Sequence, residues 1–244
     1  MKAMIFAAGL GTRLRPLTEN MPKALVPVNG IRMIDRAIKL VKAAGADTIV
    51  VNVHHFADML TEYICSRYDN IIISDERECL LDTGGGVLAA RCWLDGEEPV
   101  VLFNADILTD VDVAAMVDRH MRDRSKATLL VDGLRESSRK LLFTPDGYMR
   151  GWINEKDGMV KPSDLDVSGL DKLAFGGVHV ISPSLFIELE RYAQIYGNKF
   201  SITSFYIDAC QRMRISAYVS PTPYQWYDIG SVEKLAVAER NFAG

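Results

Sequence analysis

The stretch AMIFAAGLGTRLRP at residues 3–16 decides how this sequence is interpreted. Its first six residues are an apolar run that predicts a buried β-strand, and glycines follow at Gly9 and Gly11. Glycines after a strand allow backbone N–H groups to approach a phosphate closely, because no Cβ intervenes. Arg13, in the same loop, would add fixed positive charge to the anion. The stretch therefore predicts a phosphate-binding loop.

A second basic segment, MPKALVPV at residues 21–28, follows this loop and supplies Lys23. Two common phosphate-binding fingerprints do not match the chain. The dinucleotide fingerprint G-x-G-x-x-G requires a third glycine where this sequence has Leu14, and the P-loop string G-x-x-x-x-G-K-[ST] does not occur. A nicotinamide-dependent dehydrogenase is therefore disfavoured, also because no clear acidic residue ends a second strand.

Strands and helices alternate through the first 130 residues, which predicts a mostly parallel sheet covered by helices on both faces. We expect strands at 48–53, 71–74, 99–104, 127–131 and 224–227, and helices at 31–44, 56–68, 85–93, 110–121 and 201–213, the last two with Thr109 and Ser201 as N-caps. The segment 135–175 is rich in turns and charge and is expected to be a small β-rich insertion. A single α/β domain over residues 1–244 is the simplest fold.

Two aspartates follow predicted strands. Asp106 comes after the strand at 99–104, and Asp228 comes directly after the strand at 224–227. Residues at the carboxyl ends of parallel strands face the ligand crevice of such sheets. Carboxylate oxygens are hard ligands that suit Mg²⁺, which binds substrate phosphates at the same time. We therefore expect a magnesium site formed by these two side chains.

The string G-x-G-T-R…P-K…L-x-P-V, from Gly9 to Val28, resembles the signature of the sugar-1-phosphate nucleotidylyltransferases. Further motifs of that family are matched by LDTGGG at 81–86, FNAD at 103–106, FGGV at 175–178 and WYDIG at 226–230. The resemblance covers nearly the whole chain. It implies a Rossmann-like fold of the nucleotide-diphospho-sugar transferase type, with a mixed, mostly parallel sheet flanked by helices. It also implies a nucleotide-binding part at 1–134 and a sugar-phosphate-binding part at 135–244.

The resemblance further implies which residues act. Arg13, Lys23 and Asp106 would be catalytic, with Arg13 on the β- and γ-phosphates and Lys23 on the α-phosphate. Asp106 and Asp228 would bind Mg²⁺. The nucleotide would contact Ala7, Ala8, Gly9, Gly11, Thr12, Arg13, Lys23, Asp82, Thr83 and Gly85. The glycine run at 84–86 is expected to leave backbone N–H groups free for a ligand.

The sugar-phosphate end offers two alternatives. Members of the family often use a Glu-Lys-Pro tripeptide there, whereas this chain has Glu-Lys-Asp at 155–157 and, separately, Lys161 followed by proline. Either Lys156 or Lys161 is therefore expected to hold the sugar phosphate. Asn104 and Gly177 complete the expected sugar-phosphate contacts.

The implied reaction joins a sugar 1-phosphate to the nucleoside monophosphate part of an NTP and releases pyrophosphate. Within the family, the Thr-Gly-Gly-Gly string and the short chain resemble most the N-acetylmuramate-1-phosphate uridylyltransferases of cell-wall nucleotide-sugar biosynthesis. UTP and N-acetylmuramate 1-phosphate, or a related hexosamine phosphate, are the expected substrates. A mannose-1-phosphate guanylyltransferase, a glucose-1-phosphate thymidylyl- or uridylyltransferase, and a non-catalytic nucleotide-sensing module remain alternatives.

Composition limits the possible partners and location. The net charge of −4 over 244 residues argues against a dedicated nucleic-acid binder, which is usually basic. No apolar run approaches the roughly 20 residues of a membrane-spanning helix. The four cysteines lack metal-ligand spacing and are expected to be reduced and buried, as in a cytoplasmic protein. We expect a monomer or a weak homo-oligomer.

Overall fold

The computed structural model describes residues 1–242, so the last two residues of the domain expected over 1–244 lie outside the described residues. The strands are β1 (Lys2–Phe6), β2 (Pro27–Val28), β3 (Ile31–Arg32), β4 (Thr48–Val53), β5 (Ile71–Asp75), β6 (Val100–Asn104), β7 (Ile107–Thr109), β8 (Ala127–Asp132), β9 (Arg139–Phe143), β10 (Met149–Asn154), β11 (Met159–Lys161), β12 (Asp171–Ile181), β13 (Ile215–Tyr218) and β14 (Trp226–Asp228). The helices are α1 (Met33–Ala43), α2 (Ala57–Cys65), α3 (Asp82–Ala89), α4 (Arg91–Leu94), α5 (Val113–Asp123), α6 (Leu185–Tyr196), α7 (Ile202–Ala209) and α8 (Val232–Asn241). Short 3-10 turns at Thr12–Leu14 and Lys23–Leu25 lie in the two basic segments.

The central sheet joins a parallel half to an antiparallel half. β5, β4, β1 and β6 pair in parallel, with Ile5 of β1 between Val51 and Phe103. β12 then runs antiparallel to β6 and carries the sheet on to β9, β10 and β11. β8 and β13 extend the sheet beside β12. The expected mixed α/β sheet and the β-rich insertion are both confirmed.

Both faces of β1 are covered, which explains its uninterrupted apolar sequence. Met4 and Ile5 point to opposite faces and are both fully buried. Met4 belongs to the core cluster that includes Val87 of α3, whereas Ile5 packs in the cluster that includes Ile38 of α1 and Leu60 of α2. Because apolar side chains fill both faces, polar chemistry is confined to the ends of the strands.

The expected N-cap of α5 at Thr109 is wrong. Asp112 caps the helix instead, because its side chain accepts a hydrogen bond from the Ala115 N–H at 2.9 Å. Thr109 lies in β7, which pairs antiparallel with β14, and its hydroxyl donates to the Gln225 carbonyl at 2.7 Å. By contrast, Ser201 caps α7 as expected, accepting from the N–H two residues on.

The cysteines are free, as expected, but three of the four are not buried. Cys210 is buried, whereas Cys65 at the end of α2, Cys79 in the segment before α3 and Cys92 in the short helix α4 are exposed. Among residues 1–242, no helix is both long and apolar enough to cross a membrane.

Candidate active site

A cavity of about 270 Å³ opens at the carboxyl ends of β1 and β6. Its wall contains these residues expected from the sequence: Ala7, Ala8, Gly9, Lys23, Asp82, Thr83, Asn104 and Asp106. Phe6, Asn52 and Lys199 also line it and were not expected. The fold therefore brings together most of the residues assigned to the nucleotide, although they come from distant parts of the chain.

Gly11 and Thr12 do not line the cavity. Gly11 adopts a left-handed conformation (φ +63°), and the Thr18 hydroxyl donates to its carbonyl at 2.8 Å. A Cβ on Gly11 would come within 3.1 Å of the Lys23 Cβ. Thr12 begins the 3-10 turn that follows. Gly11 therefore lets the first basic segment fold tightly against the second, which carries Lys23.

Lys23 and Asp106 form an ion pair in the cavity. The Lys23 ammonium lies 2.6 Å from Asp106 Oδ2, with 13% and 32% of the two side chains exposed. Lys23 is held by a 3-10 turn after Pro22, and Asp106 follows directly after β6. A cation and a carboxylate thus lie within reach of any phosphate that enters the cavity.

Pairing of β7 with β14 brings Asp228 next to Asp106. Asp228 lies opposite Ile107 in the register of these strands. The Ile229 N–H donates to the Asp106 carbonyl at 2.8 Å, which fixes the two short strands at this point. The two aspartates are therefore neighbours in space, as their positions after predicted strands indicated.

Lys234 pairs with Asp228, and Arg13 lies nearby. The Lys234 ammonium lies 2.5 Å from Asp228 Oδ2. A Cβ on Gly230 would come within 2.8 Å of Asp228 Oδ1 and 3.3 Å of Arg13 Nη2, so the Arg13 guanidinium also lies near this carboxylate. Gly230 leaves the space that these side chains occupy. Lys234 was missed by sequence reasoning, although it lies in the first turn of the helix directly after the WYDIG motif.

The glycine run at 84–86 does not offer free N–H groups, contrary to expectation. Asp82 to Gly86 form the start of α3 rather than a loop. The N–H groups of Gly84 and Gly85 both donate to the Phe200 carbonyl, at 2.9 and 3.2 Å. A Cβ on Gly85 would overlap the carbonyl oxygen of Asn198. These glycines therefore allow the segment before α7 to pack on α3, and Gly85 lies at this contact and does not line the cavity.

A buried Asn52–Glu76 pair connects the two loops of the cavity and was also missed. Asn52 Oδ1 accepts from the Ala7 N–H at 2.8 Å, and its amide donates to Glu76 Oε1 at 2.8 Å. Glu76 Oε2 accepts from the Leu81 N–H at 3.0 Å. Burial raises the pKa of Glu76, and the hydrogen bonds from Asn52 and Leu81 oppose the rise. The available signal was a lone polar residue within the apolar strand TIVVNV at 48–53.

The residues expected to bind the sugar phosphate do not lie together in the structure. Gly177 (φ +73°) adjoins the cavity, because a Cβ there would come within 3.1 Å of Asn104 Nδ2. Lys156 is exposed in the turn between β10 and β11 and does not line the cavity. Lys161, at the end of β11, lines a second pocket. Trp226 donates from Nε1 to the Gly176 carbonyl at 2.8 Å, so it supports the strand beside Gly177.

Comparison with known proteins decides the family. The family model described as nucleotidyl transferase matches residues 2–243. The chain belongs to the nucleotidyl transferase family. This confirms the membership expected from the glycine-arginine signature and from the motifs around the two aspartates.

Individual members of the nucleotidyl transferase family are similar over much of the chain. An N-acetylmuramate α-1-phosphate uridylyltransferase of Caulobacter vibrioides is 38% identical over 75% of this chain and 76% of its own. The enzyme of the same name from Neisseria meningitidis serogroup B is 31% identical over 98% and 97%. Mannose-1-phosphate guanylyltransferase 1 of Arabidopsis thaliana is 30% identical over 68% of this chain and 51% of its own.

Solved structures with the same fold match nearly the whole chain. A UDP-glucose pyrophosphorylase complexed with UDP-glucose superposes with a TM-score of 0.75 at 22% identity, covering 98% of this chain and 97% of that one. A putative glucose-1-phosphate thymidylyltransferase from Bacillus anthracis gives a TM-score of 0.79 at 17% identity, covering 100% and 98%. These similarities confirm the nucleotide-diphospho-sugar transferase type of fold.

Proposed function

We propose that the protein is a Mg²⁺-dependent uridylyltransferase, which joins UMP from UTP to N-acetylmuramate 1-phosphate or a related hexosamine phosphate and releases pyrophosphate. The observation that carries this proposal is the Lys23–Asp106 pair inside the cavity. Nucleotidyl transfer needs a cation and a metal-binding carboxylate at the same phosphorus. The choice of UTP and of this acceptor is supported by the two similar uridylyltransferases.

The reaction requires positioning rather than proton transfer. The nucleophile is a phosphate oxygen of the sugar 1-phosphate, which is already ionised at neutral pH because its second pKa is about 6. This oxygen bonds to the α-phosphorus of UTP, the bond to the bridging oxygen breaks, and pyrophosphate leaves with the electron pair. Lys23 would stabilise charge on the α-phosphate, and Arg13 would hold the departing β- and γ-phosphates. Ala7 and Ala8 would line the base.

The carboxylates of Asp106 and Asp228 fit Mg²⁺. Both are hard oxygen ligands, and the β7–β14 pairing makes them neighbours. Within residues 1–242, no cluster of three or more histidine, cysteine, aspartate or glutamate side chains could hold a metal. Phosphate oxygens and water would complete the coordination, and the bound ion would neutralise charge on the phosphates. Lys23 and Lys234, which pair with these aspartates, would then be free to contact phosphate.

The same proposal assigns each substrate to a part of the chain. We infer that residues 1–134 bind the nucleotide, since Ala7 to Gly9 and Asp82 lie there, and that 135–244 bind the sugar phosphate through segments such as that of Gly177. The cytoplasmic location and the monomeric or weakly oligomeric state stay predictions.

Pyrophosphate release tests the proposal. Purified protein is assayed with each of the common NTPs against the 1-phosphates of N-acetylmuramate, N-acetylglucosamine, mannose and glucose, with Mg²⁺ and with EDTA. We expect the fastest turnover with UTP and N-acetylmuramate 1-phosphate, and none with EDTA. A preference for GTP with mannose 1-phosphate would instead assign a guanylyltransferase, and NTP binding without turnover would indicate a sensor.

Asp106→Asn tests the assigned metal ligand directly. We expect kcat to fall at least about 100-fold, because an amide oxygen carries no negative charge for the metal. Thermal unfolding should stay close to that of the unchanged protein, since the asparagine amide oxygen can still accept a hydrogen bond from the Lys23 ammonium. Asp118→Asn, an exposed aspartate on α5, is the matched control. Activity near the original level in Asp106→Asn would contradict the metal assignment.

A further inference from the structure

The two aspartates assigned to the metal lie on a short ribbon outside the central sheet. β7 and β14 form a two-stranded sheet of their own, with three residues in each strand. Asp106 comes directly before β7, and Asp228 is the last residue of β14. A two-stranded sheet is marginally stable by itself. The position of Asp228 relative to Asp106 therefore depends on contacts between this ribbon and the rest of the molecule.

Trp226 connects β14 to the central sheet. Its indole Nε1 donates to the Gly176 carbonyl of β12 at 2.8 Å, and the partly buried ring packs against the core cluster that contains Ile5. Trp226 and Asp228 are two residues apart in an extended strand, so their side chains lie on the same face of β14. A tilt of the indole would therefore displace β14 and, with it, the Asp228 carboxylate.

Arg135, in the loop between β8 and β9, covers the indole of Trp226. Its guanidinium carbon lies 3.7 Å from the centre of the ring, and only 11% of the side chain is exposed. Nη2 donates to the Tyr224 hydroxyl at 3.1 Å and lies 3.7 Å from Asp132 Oδ2. The Lys140 ammonium donates to the Arg135 carbonyl at 2.8 Å. The backbone and the side chain of Arg135 are thus both fixed where the guanidinium meets the indole.

The burial of Arg135 has a cost that folding alone does not explain. Its Nη1 group is buried and has no hydrogen-bond partner among residues 1–242. Burial also lowers the pKa of the guanidinium. An apolar side chain of similar size would fill the same space without desolvating a cation. A desolvated guanidinium is, however, attracted strongly to the face of a tryptophan ring. A role in holding the Trp226 indole therefore accounts for an arginine at this position.

We propose that Arg135 is a positioning residue of the metal site, which holds Trp226 and thereby fixes the Asp228 carboxylate relative to Asp106. The inference rests on the proposed function, in which these two aspartates bind Mg²⁺ together with the phosphates of UTP. Arg135 does not line the cavity, so its effect would be transmitted by Trp226 and β14. Its loss should weaken the contribution of Mg²⁺ to UTP binding more than it weakens the binding of UTP without metal.

Calorimetric titration with UTP, in the absence of an acceptor, measures this contribution as the Kd in EDTA divided by the Kd in Mg²⁺. Arg135→Met removes the charge and keeps a long apolar side chain. We expect it to lower the ratio about 5-fold or more and to change the Kd in EDTA less than about twofold. Arg135→Lys retains a cation for the indole and should keep most of the ratio. Arg150→Met replaces an exposed arginine of β10 that does not line the cavity, and this control should leave both Kd values unchanged.

Two further variants test whether the effect passes through the indole. Trp226→Leu removes the ring, so adding Arg135→Met to it should lower the ratio by less than about twofold more. Tyr224→Phe removes only the hydroxyl that accepts from Arg135 Nη2, and it should lower the ratio in the same direction by a smaller factor. Tyr224→Phe decides the question if circular dichroism shows that Arg135→Met does not fold.

Three results would overturn the inference while leaving nucleotidyl transfer intact. Arg135→Met could keep the ratio of the unchanged protein, it could weaken UTP binding equally in Mg²⁺ and in EDTA, or its loss could multiply with that of Trp226→Leu. A ratio near one in the unchanged protein would also overturn the inference. Only the absence of pyrophosphate release from the unchanged protein with Mg²⁺ would overturn the proposed function as well.

Discussion

Gly85 illustrates how a glycine within a nucleotide-binding motif can serve packing. A Cβ at this position would overlap the Asn198 carbonyl oxygen, whereas a Cβ on Gly9 would meet nothing within 4 Å. Gly85→Ala should therefore lower the free energy of unfolding by about 1–3 kcal/mol, measured by urea denaturation. Gly9→Ala is the matched control and should change it by less than about 0.5 kcal/mol. Equal stability of the two variants would contradict the packing role of Gly85.

The functional role of some charged residues can be predicted from the sequence, and that of others cannot. In the sequence, Lys23 and Asp106 follow apolar segments and do not belong to the solvent-exposed face of a helix. Their charge is therefore not explained by solubility, and the pattern indicates a binding or catalytic role. Lys199 and Lys234 lie before and within surface helices, where lysines are common for solubility alone. Their roles emerge only when the fold places one in the cavity wall and the other 2.5 Å from Asp228 Oδ2.

At the scale of elements, Glu76 links β4, β5 and α3 through Asn52 and the Leu81 N–H. Burial raises its pKa above the ordinary value of 4.5, His54 lowers it and Asp82 raises it further. The folded state therefore binds this proton more tightly than the unfolded state, and folding loses stability as pH rises through the folded pKa. Glu76→Gln removes this titration. The unfolding free energy of the unchanged protein should consequently fall relative to that of Glu76→Gln as pH rises.

Urea denaturation of both proteins between about pH 4 and about pH 7 measures this difference. The informative quantity is how the difference in unfolding free energy between the two proteins changes with pH. Its absolute value is less useful, because the glutamine amide also disturbs the hydrogen bonds from Asn52 and Leu81 at every pH. Glu136→Gln, an exposed glutamate, is the control and should show no comparable slope. A difference between Glu76→Gln and the unchanged protein that is independent of pH would refute the prediction.

The longer elements were predictable and the shortest were not. Apolar runs of five or six residues predict β1, β4 and β6, and helical spacing predicts α1, because burial on one face or two leaves a clear pattern. β7 and β14 have three residues each, too few for any periodicity. Their pairing is a contact between distant parts of the chain, yet it is this pairing that makes Asp106 and Asp228 neighbours. The sequence placed each aspartate at a strand end but could not show how the two strands meet.

At the scale of the whole molecule, β12 ties the two functional parts together. Its Val178–Ile181 segment pairs with β6, and its Asp171–Leu173 segment pairs with β9. One core cluster contains Met4 of β1 as well as Phe205 of α7. Neither part can therefore lose its structure without exposing apolar side chains of the other. A sheet and a core shared in this way favour unfolding as one cooperative unit.

We therefore expect a single unfolding transition in urea, with the same midpoint by far-UV circular dichroism and by tryptophan fluorescence. The fluorescence probes report on both parts, because Trp93 lies in the first and Trp152 and Trp226 lie in the second. UTP with Mg²⁺ should raise both midpoints together, since a ligand at one hundred times its Kd adds about 2.7 kcal/mol to the stability of the whole cooperative unit. Two separated transitions, of which UTP shifts only one, would show that residues 1–134 fold independently and would contradict the single-domain architecture.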